Sequence, residues 1–260
     1  MSDPLRFFVS PESLQSDEVV ITGEPYHHLR NVLRVKSGAI ILLLDGFGQC
    51  CEVQLEQLQP EQATTRVIRR WREKDVSLSI TLLQALPKGD KFDLVLQKGT
   101  ELGVRCFQPI ETDHAIPNLN AARLSKRAQR WQRIVSEAAR QSRRNFLPEV
   151  KPLQKLARVI DEASSDLKLV LWEASSVPLA DALPKTPPSG VRLLIGPEGG
   201  FSASEIISIM AAGFQAVHLG PRILRTETAG LAATPILQYL YGDWQHPPAD
   251  SNSNHHEENL

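Results

Sequence analysis

From residue 77 onward, short apolar runs alternate with stretches whose apolar residues recur at helical spacing. No other feature of the chain constrains its fold as strongly. SLSITLLQAL, CFQPIET, LKLVLWE, VRLLIG and QAVHLG read as strands. DKFDLVLQKGTELG, LSKRAQRWQRIVSEAARQSRR, ASEIISIMAAG and TAGLAATPILQYLY read as helices. Asp90 is placed to cap the first of these, with Phe92, Val95, Leu96 and Leu102 on its buried face. In the second, Leu124, Ala128, Trp131, Val135 and Ala138 form a core stripe opposite Lys126, Arg130, Arg133, Arg140 and Arg144. Pro235 is expected to kink the last helix. Strand–helix alternation of this kind predicts an α/β domain with a largely parallel sheet, whose ligands sit beyond the carboxyl ends of the strands.

The preceding residues, 1–73, have a different character. AIILLLDG is a short buried strand ending in an Asp-Gly turn, CEVQLEQL alternates, and ATTRVIRRW is β-branched and basic, which predicts a small barrel or sandwich. EPYHHLRNVLRVKSG places Leu29, Val32 and Leu33 at helical spacing with Gly38 as a stop. The boundary falls near residues 72–76. A second domain of 74–244 follows, and residues 245–260 read as a disordered acidic tail. No apolar run reaches the ~18–20 residues that span a bilayer. The N-terminus has acids and prolines where a secretory signal has an apolar centre, so a cytoplasmic location and no membrane partner are expected. Cys50 and Cys51 are neighbours, which a strand points to opposite faces; with Cys106 distant they read as structural thiols, and no metal is expected.

Three predicted strand ends carry unusual turns: Trp172–Ser175, Gly196-Pro197-Glu198-Gly199-Gly200, and Leu219–Thr228. The middle turn fits neither the dinucleotide pattern G-x-G-x-x-G nor the phosphate loop G-x-x-x-x-G-K-[ST]. Its acid, Glu198, would repel a triphosphate and suits a ligand with hydroxyls, an amine or a positive centre. The plain alternative is a tight strand-to-helix turn punctuated by Pro and Gly. In the last turn, Thr226 or Glu227 capping the helix explains the threonine better than it explains Arg222, Arg225 and Gly220.

The net charge of −1 conceals a strong asymmetry. Arg123, Lys126, Arg127, Arg130, Arg133, Arg140, Arg143 and Arg144 stand against one acid, Glu137, while the last residues are acidic. Local charge governs phosphate binding more than the sum does.

LLIGPEGGFSASEI followed by LGPRILRTETAGLAA resembles the RsmE family of ribosomal RNA uridine-N3 methyltransferases, of the SPOUT class. RFFV, HHLRNVLRVKSG, QKGTELGV and RWQRIVSEAARQSRR extend the resemblance over most of the chain. It implies a PUA-like RNA-binding β-barrel followed by an α/β domain with a C-terminal trefoil knot. It also implies a homodimer, a substrate in 16S ribosomal RNA or the small ribosomal subunit, and S-adenosyl-L-methionine as cofactor. On this resemblance Leu171, Trp172, Gly196, Pro197, Glu198, Gly199, Gly200, Leu219, Gly220, Ile223, Leu224, Thr228 and Ala229 would surround the cofactor. The glycines would admit close backbone approach. Glu198 and Glu227 are candidate bases or orienters for uridine N3. Arg222 and Arg225 are candidates to stabilise charge on the uracil oxygens or to hold a phosphate. Arg6, Arg30, Arg34, Lys88, Arg130, Arg133, Arg140, Arg143 and Arg144 are the candidate RNA contacts. A non-catalytic ribosomal RNA-binding assembly factor is the alternative, and it gives the two glycine turns no purpose.

Overall fold

The computed structural model describes residues 4–75, 77–115, 121–164 and 166–245. Of the expected acidic tail it includes only Gln245; residues 246–260 lie outside the described residues.

The first part contains β1 (Leu5–Phe8), β2 (Glu18–Thr22), the short helix α1 (Gly23–His27), β3 (Ile40–Leu44), β4 (Gln49–Leu58) and β5 (Gln62–Arg72). They form a five-stranded sheet in the order β1-β3-β4-β5-β2, in which only the β1–β3 pairing is parallel. β4 shows how the alternating sequence builds its core. Cys51, Val53 and Leu55 point inward to Phe7, Ile21, Tyr26 and Leu43, while Cys50 joins Leu42 and Leu44 on the opposite face. The helical reading of residues 29–33 is corrected in part. Residues His28–Val32 wind as a wider π turn, closed by Leu33 N–H on the His28 carbonyl. That shifts the phase, so Leu29 is buried but Val32 is 65% exposed. Arg34, at φ +50°, ends the turn before Gly38 is reached.

The second part runs β6 (Ser79–Ala85), α2 (Lys91–Glu101), β7 (Cys106–Glu111), α3 (Ala121–Gln141), β8 (Glu149–Val150), β9 (Gln154–Lys155) and α4 (Leu156–Ile160). It continues through β10 (Leu167–Leu171), α5 (Leu179–Ala182), β11 (Gly190–Ile195), α6 (Ala203–Ala211), β12 (Gln215–Val217) and α7 (Thr226–Tyr241). The sheet order is β12-β10-β11-β6-β7-β8, with β9 also on β7, and every pairing is parallel. Every residue of β11 is buried, as a central strand covered on both faces requires. One core joins Ile80, Leu82, Leu193 and Ile195 to Phe92, Leu96, Trp131 and Leu237 of α2, α3 and α7. The other joins Leu83, Ala85, Ile110 and Leu194 to Val159 of α4 and Ile209 of α6.

Three helix expectations change. Asp90 holds the N-cap position of α2 but makes no side-chain cap bond, because its φ/ψ of −100°/13° is not the extended geometry a cap needs. Of the α3 stripe only Trp131, Val135 and Ala138 are buried; Leu124 is half-buried and Ala128 exposed. α3 has 21 residues against 11 in α2, and Trp131 already meets Phe92 in the first turn of α2. At ~1.5 Å per residue, the first turns of α3 overhang its neighbour. α7 runs unbroken through Pro235.

The two parts meet at a keyed joint. The β3–β4 hairpin tip lies on the chain leaving α3, with Leu147 N–H on the Gly46 carbonyl at 2.9 Å. Arg6 donates to the Arg143 carbonyl at 3.0 Å and to Asn145 at 2.8 Å. A Cβ on Gly48 would come within 2.6 Å of the Glu73 carbonyl oxygen and 3.0 Å of the Phe146 ring.

Candidate functional site

Parallel pairing of β12, β10, β11 and β6 brings their carboxyl ends to one edge. Leu171 is level with Ile195 on one side and Val217 on the other, so the three turns singled out from the sequence leave the sheet side by side. The Trp172 N–H donates to the Val217 carbonyl at 3.0 Å.

The turn after β11 is shaped by its neighbours. Gly200 has φ +69°, the left-handed region, and its N–H closes on the Pro197 carbonyl at 3.0 Å. A Cβ on Gly196 would meet the Phe201 ring at 3.0 Å, and one on Gly199 the Cβ of His114 at 3.2 Å. Both glycines, which the sequence reading assigned to ligand approach, thus also pack closely against side chains of the protein. Ser202 then opens α6 with a complete capping box: its hydroxyl accepts from Glu205 N–H at 3.2 Å, and its own N–H donates to the Glu205 carboxylate at 2.8 Å.

Thr226 ties this turn to α7. Its hydroxyl donates to the Gly196 carbonyl at 2.6 Å and accepts from Gln84 Nε2 at 2.9 Å. Arg225, not Thr226 or Glu227, occupies the N-cap position, and it makes no side-chain cap bond. The threonine hydroxyl is already engaged across the sheet edge, which replaces the capping role considered above. Arg222 and Arg225 are exposed and make no ion pair among the described residues. Ile223 between them is 83% exposed, and Thr228 is exposed while Ala229 is buried.

Lys91, absent from the sequence reading, joins the two acids. Its Nζ lies 3.0 Å from Glu198 Oε1 and 3.4 Å from Glu227 Oε2. Lys88 N–H also donates to Glu198 Oε1, at 3.2 Å. Burial pushes the Glu198 carboxyl up, but Lys91 and the N–H groups of Glu198 and Lys88 outweigh it and hold the group below its usual value. The hydrogen bond to Glu198 raises Lys91 in return. Glu227 is the more buried acid, its side chain 12% exposed, and its Oε2 makes the longer of the two Lys91 contacts. Gln84 Oε1, nearby on β6, is buried and has no hydrogen-bond partner among the described residues. An edge with two carboxylates and an unfilled acceptor fits a ligand rich in N–H, O–H and positive charge.

One cleft, about 440 Å³, is mainly apolar in its lining: Leu179, Leu183, Leu219, Leu224, Ile236 and Leu240, together with Gly220 and Arg222. It thus includes Leu219, Gly220 and Leu224 of the expected cofactor wall. Leu171, Trp172 and Gly196–Gly200 lie outside it, at the ends of β10 and β11.

The candidate RNA contacts differ in how far the fold already uses them. Arg144 donates to the Thr100 and Val104 carbonyls, each at 2.8 Å, and burial pushes its guanidinium down to about 10. Arg6 lies in the joint, Arg30 donates to the Gln59 and Pro60 carbonyls, Arg130 pairs with Asp93 at 2.5 Å and Arg140 with Glu137. Arg34, Lys88, Arg133 and Arg143 are exposed.

Residues 74–238 match the family described as RNA methyltransferase domain, and residues 21–68 the RNA methyltransferase PUA domain. The ribosomal RNA small subunit methyltransferase E of Bacillus subtilis is 34% identical over 247 residues, 90% of this chain and 96% of that one. The protein of the same name from Synechocystis is 35% identical, over 90% of this chain and 77% of its own. Among solved structures, the ribosomal RNA small subunit methyltransferase E of Neisseria gonorrhoeae bound to S-adenosyl methionine has a TM-score of 0.84 and 36% identity, covering 93% of this chain and 100% of the other. A methyltransferase of Legionella pneumophila in complex with the same cofactor has a TM-score of 0.86 and 33% identity, with coverage of 93% and 100%. No described helix is long and apolar enough to cross a membrane.

Proposed function

The chain belongs to the ribosomal RNA small subunit methyltransferase E family, and from that premise we propose that it methylates N3 of a uridine in 16S ribosomal RNA, using S-adenosylmethionine, in the cytoplasm. The observation that carries this reading is the Gly196–Gly200 turn, held by Thr226 to the helix that bears Glu227. The cofactor, when bound, supplies an electrophilic methyl group on a sulfonium. Leu171, Trp172, the Gly196–Gly200 turn, Leu219, Gly220 and Leu224 are the residues that would hold it. Glu227 is the better candidate to take or orient the N3 proton, because it is the more buried of the two acids and makes the longer contact with Lys91, 3.4 Å against 3.0 Å. Glu198, gripped by Lys91 and the Lys88 N–H, is better suited to fixing the turn. Arg225 and Arg222, exposed at the start of α7, are suited to the negative charge on the uracil oxygens or to a phosphate.

Two larger features belong to the same proposal. Support for a trefoil knot comes from the path of the chain: β12 sits at the sheet edge beside β10, yet the following α7 packs inward on α2, β6 and β11. Support for a homodimer comes from the outer face of α7, where Ile236, Tyr239 and Leu240 are 41%, 56% and 47% exposed. The RNA would lie along the exposed bases Arg34, Lys88, Arg133 and Arg143.

Mapping methylated nucleotides in ribosomal RNA from cells with and without the gene tests the activity; an unchanged map defeats it. In single-turnover kinetics at saturating cofactor and RNA, Arg225→Lys is expected to lower the rate constant about ten- to a thousandfold, the range for one charge-stabilising donor. A normal rate constant would leave Arg225 a structural residue.

A further inference from the structure

We infer that His114 is a positioning residue for the cofactor turn, an inference that rests on the function proposed above. His114 follows β7 and approaches the turn from a separate part of the sheet. Its Nδ1 lies 3.1 Å from the Gly199 carbonyl oxygen and 3.0 Å from that of Gly200. A carbonyl only accepts, so Nδ1 carries the proton and donates to both. The neighbouring residue reinforces the contact: Asp113 N–H donates to Glu205 at 2.8 Å, and the Ser202 hydroxyl donates to Asp113 at 2.7 Å.

The physical need for such a clamp lies in the turn itself. Gly199 and Gly200 have no side chains to limit their dihedral angles, and Gly200 stands at φ +69°. A peptide group is planar, with C=O and N–H pointing opposite ways. Fixing the carbonyls of Gly199 and Gly200 therefore fixes the two consecutive peptide planes on either side of Gly200, and with them the direction of the Phe201 N–H. One imidazole removes the freedom that the glycines introduce, so the turn is ordered before the cofactor arrives.

Two substitutions separate donation from mere packing. His114→Phe keeps a ring against Gly199 but has no donor, while His114→Asn offers an N–H about where Nδ1 stands. Calorimetry with S-adenosylhomocysteine is expected to show affinity about tenfold weaker for His114→Phe, the size of one or two lost hydrogen bonds. His114→Asn should stay within about threefold of the parent, and the methyl-transfer rate constant at saturating cofactor and RNA should be unchanged in both. Hydrogen exchange on the cofactor-free protein should show faster exchange at the Gly200 amide in His114→Phe than in His114→Asn. Equal affinity and equal exchange in the Phe variant would overturn the inference. If the parent protein itself fails to bind S-adenosylhomocysteine, the proposed function falls, and the exchange measurement still decides whether His114 holds the turn.

Discussion

Replacing Thr226 by Val tests whether the bridge between the Gly196 turn and α7 supports the site. Valine has nearly the shape of threonine, so the change removes a hydroxyl with little loss of packing. Two hydrogen bonds go, at 2.6 Å to the Gly196 carbonyl and 2.9 Å from Gln84. Thr226 is 6% and Gln84 0% exposed, so water does not replace them freely. Gln84 Nε2 keeps only its bond to the Ala85 carbonyl, and its Oε1 has no partner to begin with. At about 1–3 kcal/mol for a buried group left unpaired, and less for Gln84 Nε2, which keeps one bond, the loss is about 2–4 kcal/mol. For a domain of this size that lowers Tm by about 5–15 °C. Thr226→Ser keeps the hydroxyl and loses one methyl, about 1 kcal/mol, so it should melt well above the Val variant. Differential scanning calorimetry reads the melting, and titration with S-adenosylhomocysteine is expected to show weakened binding in the Val variant alone. Val and Ser variants that melt together and bind alike would refute the reasoning.

Lys91→Met removes the cation that helps to hold Glu198 below its usual value, leaving only the N–H groups of Glu198 and Lys88 against the upward push of burial, so the carboxyl rises relative to the parent. Stability from a depressed carboxyl is present above its unfolded pKa and lost as pH falls through the lower folded value, so the acid limb of cofactor affinity should move to higher pH in the variant; an unmoved limb contradicts the role of Lys91. Arg133→Ala should reduce the slope of RNA affinity against salt by roughly 0.7–0.9, whereas Arg144→Met should lower Tm and leave that slope alone, as measured by filter binding over a salt series. Burial pushes Cys50 to about 12 and Cys106 to about 11, so neither should react with a thiol reagent at pH 8.5 until the protein unfolds, near the ordinary thiol value of ~8.5. Because these values are raised, the associated stability is complete below the ordinary thiol value and declines as pH climbs toward the folded ones, which urea titrations at rising pH would follow.

The parallel sheet was legible because its strands are continuous apolar runs, and the wholly apolar end of β11 already marks a strand covered on both faces. The three turns followed from local chemistry. Features made by distant residues were not legible. Lys91 lies 107 positions from Glu198, and nothing local distinguishes it from Lys88. Its signal was topological: the loop after a strand paired with β11 must end beside the glycine turn. The arginines show the opposite difficulty. Charge spacing marks a basic face, but Arg144 lies on the Thr100 and Val104 carbonyls at the end of α2, which a helical wheel of α3 does not include. A hydroxyl at a helix start is ordinarily a cap, and Thr226 departs from that rule because it reaches another strand end instead.

The joint at Gly48 has a consequence for what the protein can measure. A flexible tether would let the two halves swivel and accept contact points at many spacings. Here any side chain at residue 48 would run into the Glu73 carbonyl and Phe146, and Arg6 pins the far end of the basic helix. The first part of the chain and α3 are thus held in one relative position. On the function proposed above, a folded RNA that presents two docking points at that fixed spacing would engage both parts at once, and a fragment carrying one of them would engage a single part. Selection then follows from dimension as well as from the base presented, and a short oligonucleotide containing the right uridine should be a poorer substrate than the folded setting from which it was cut.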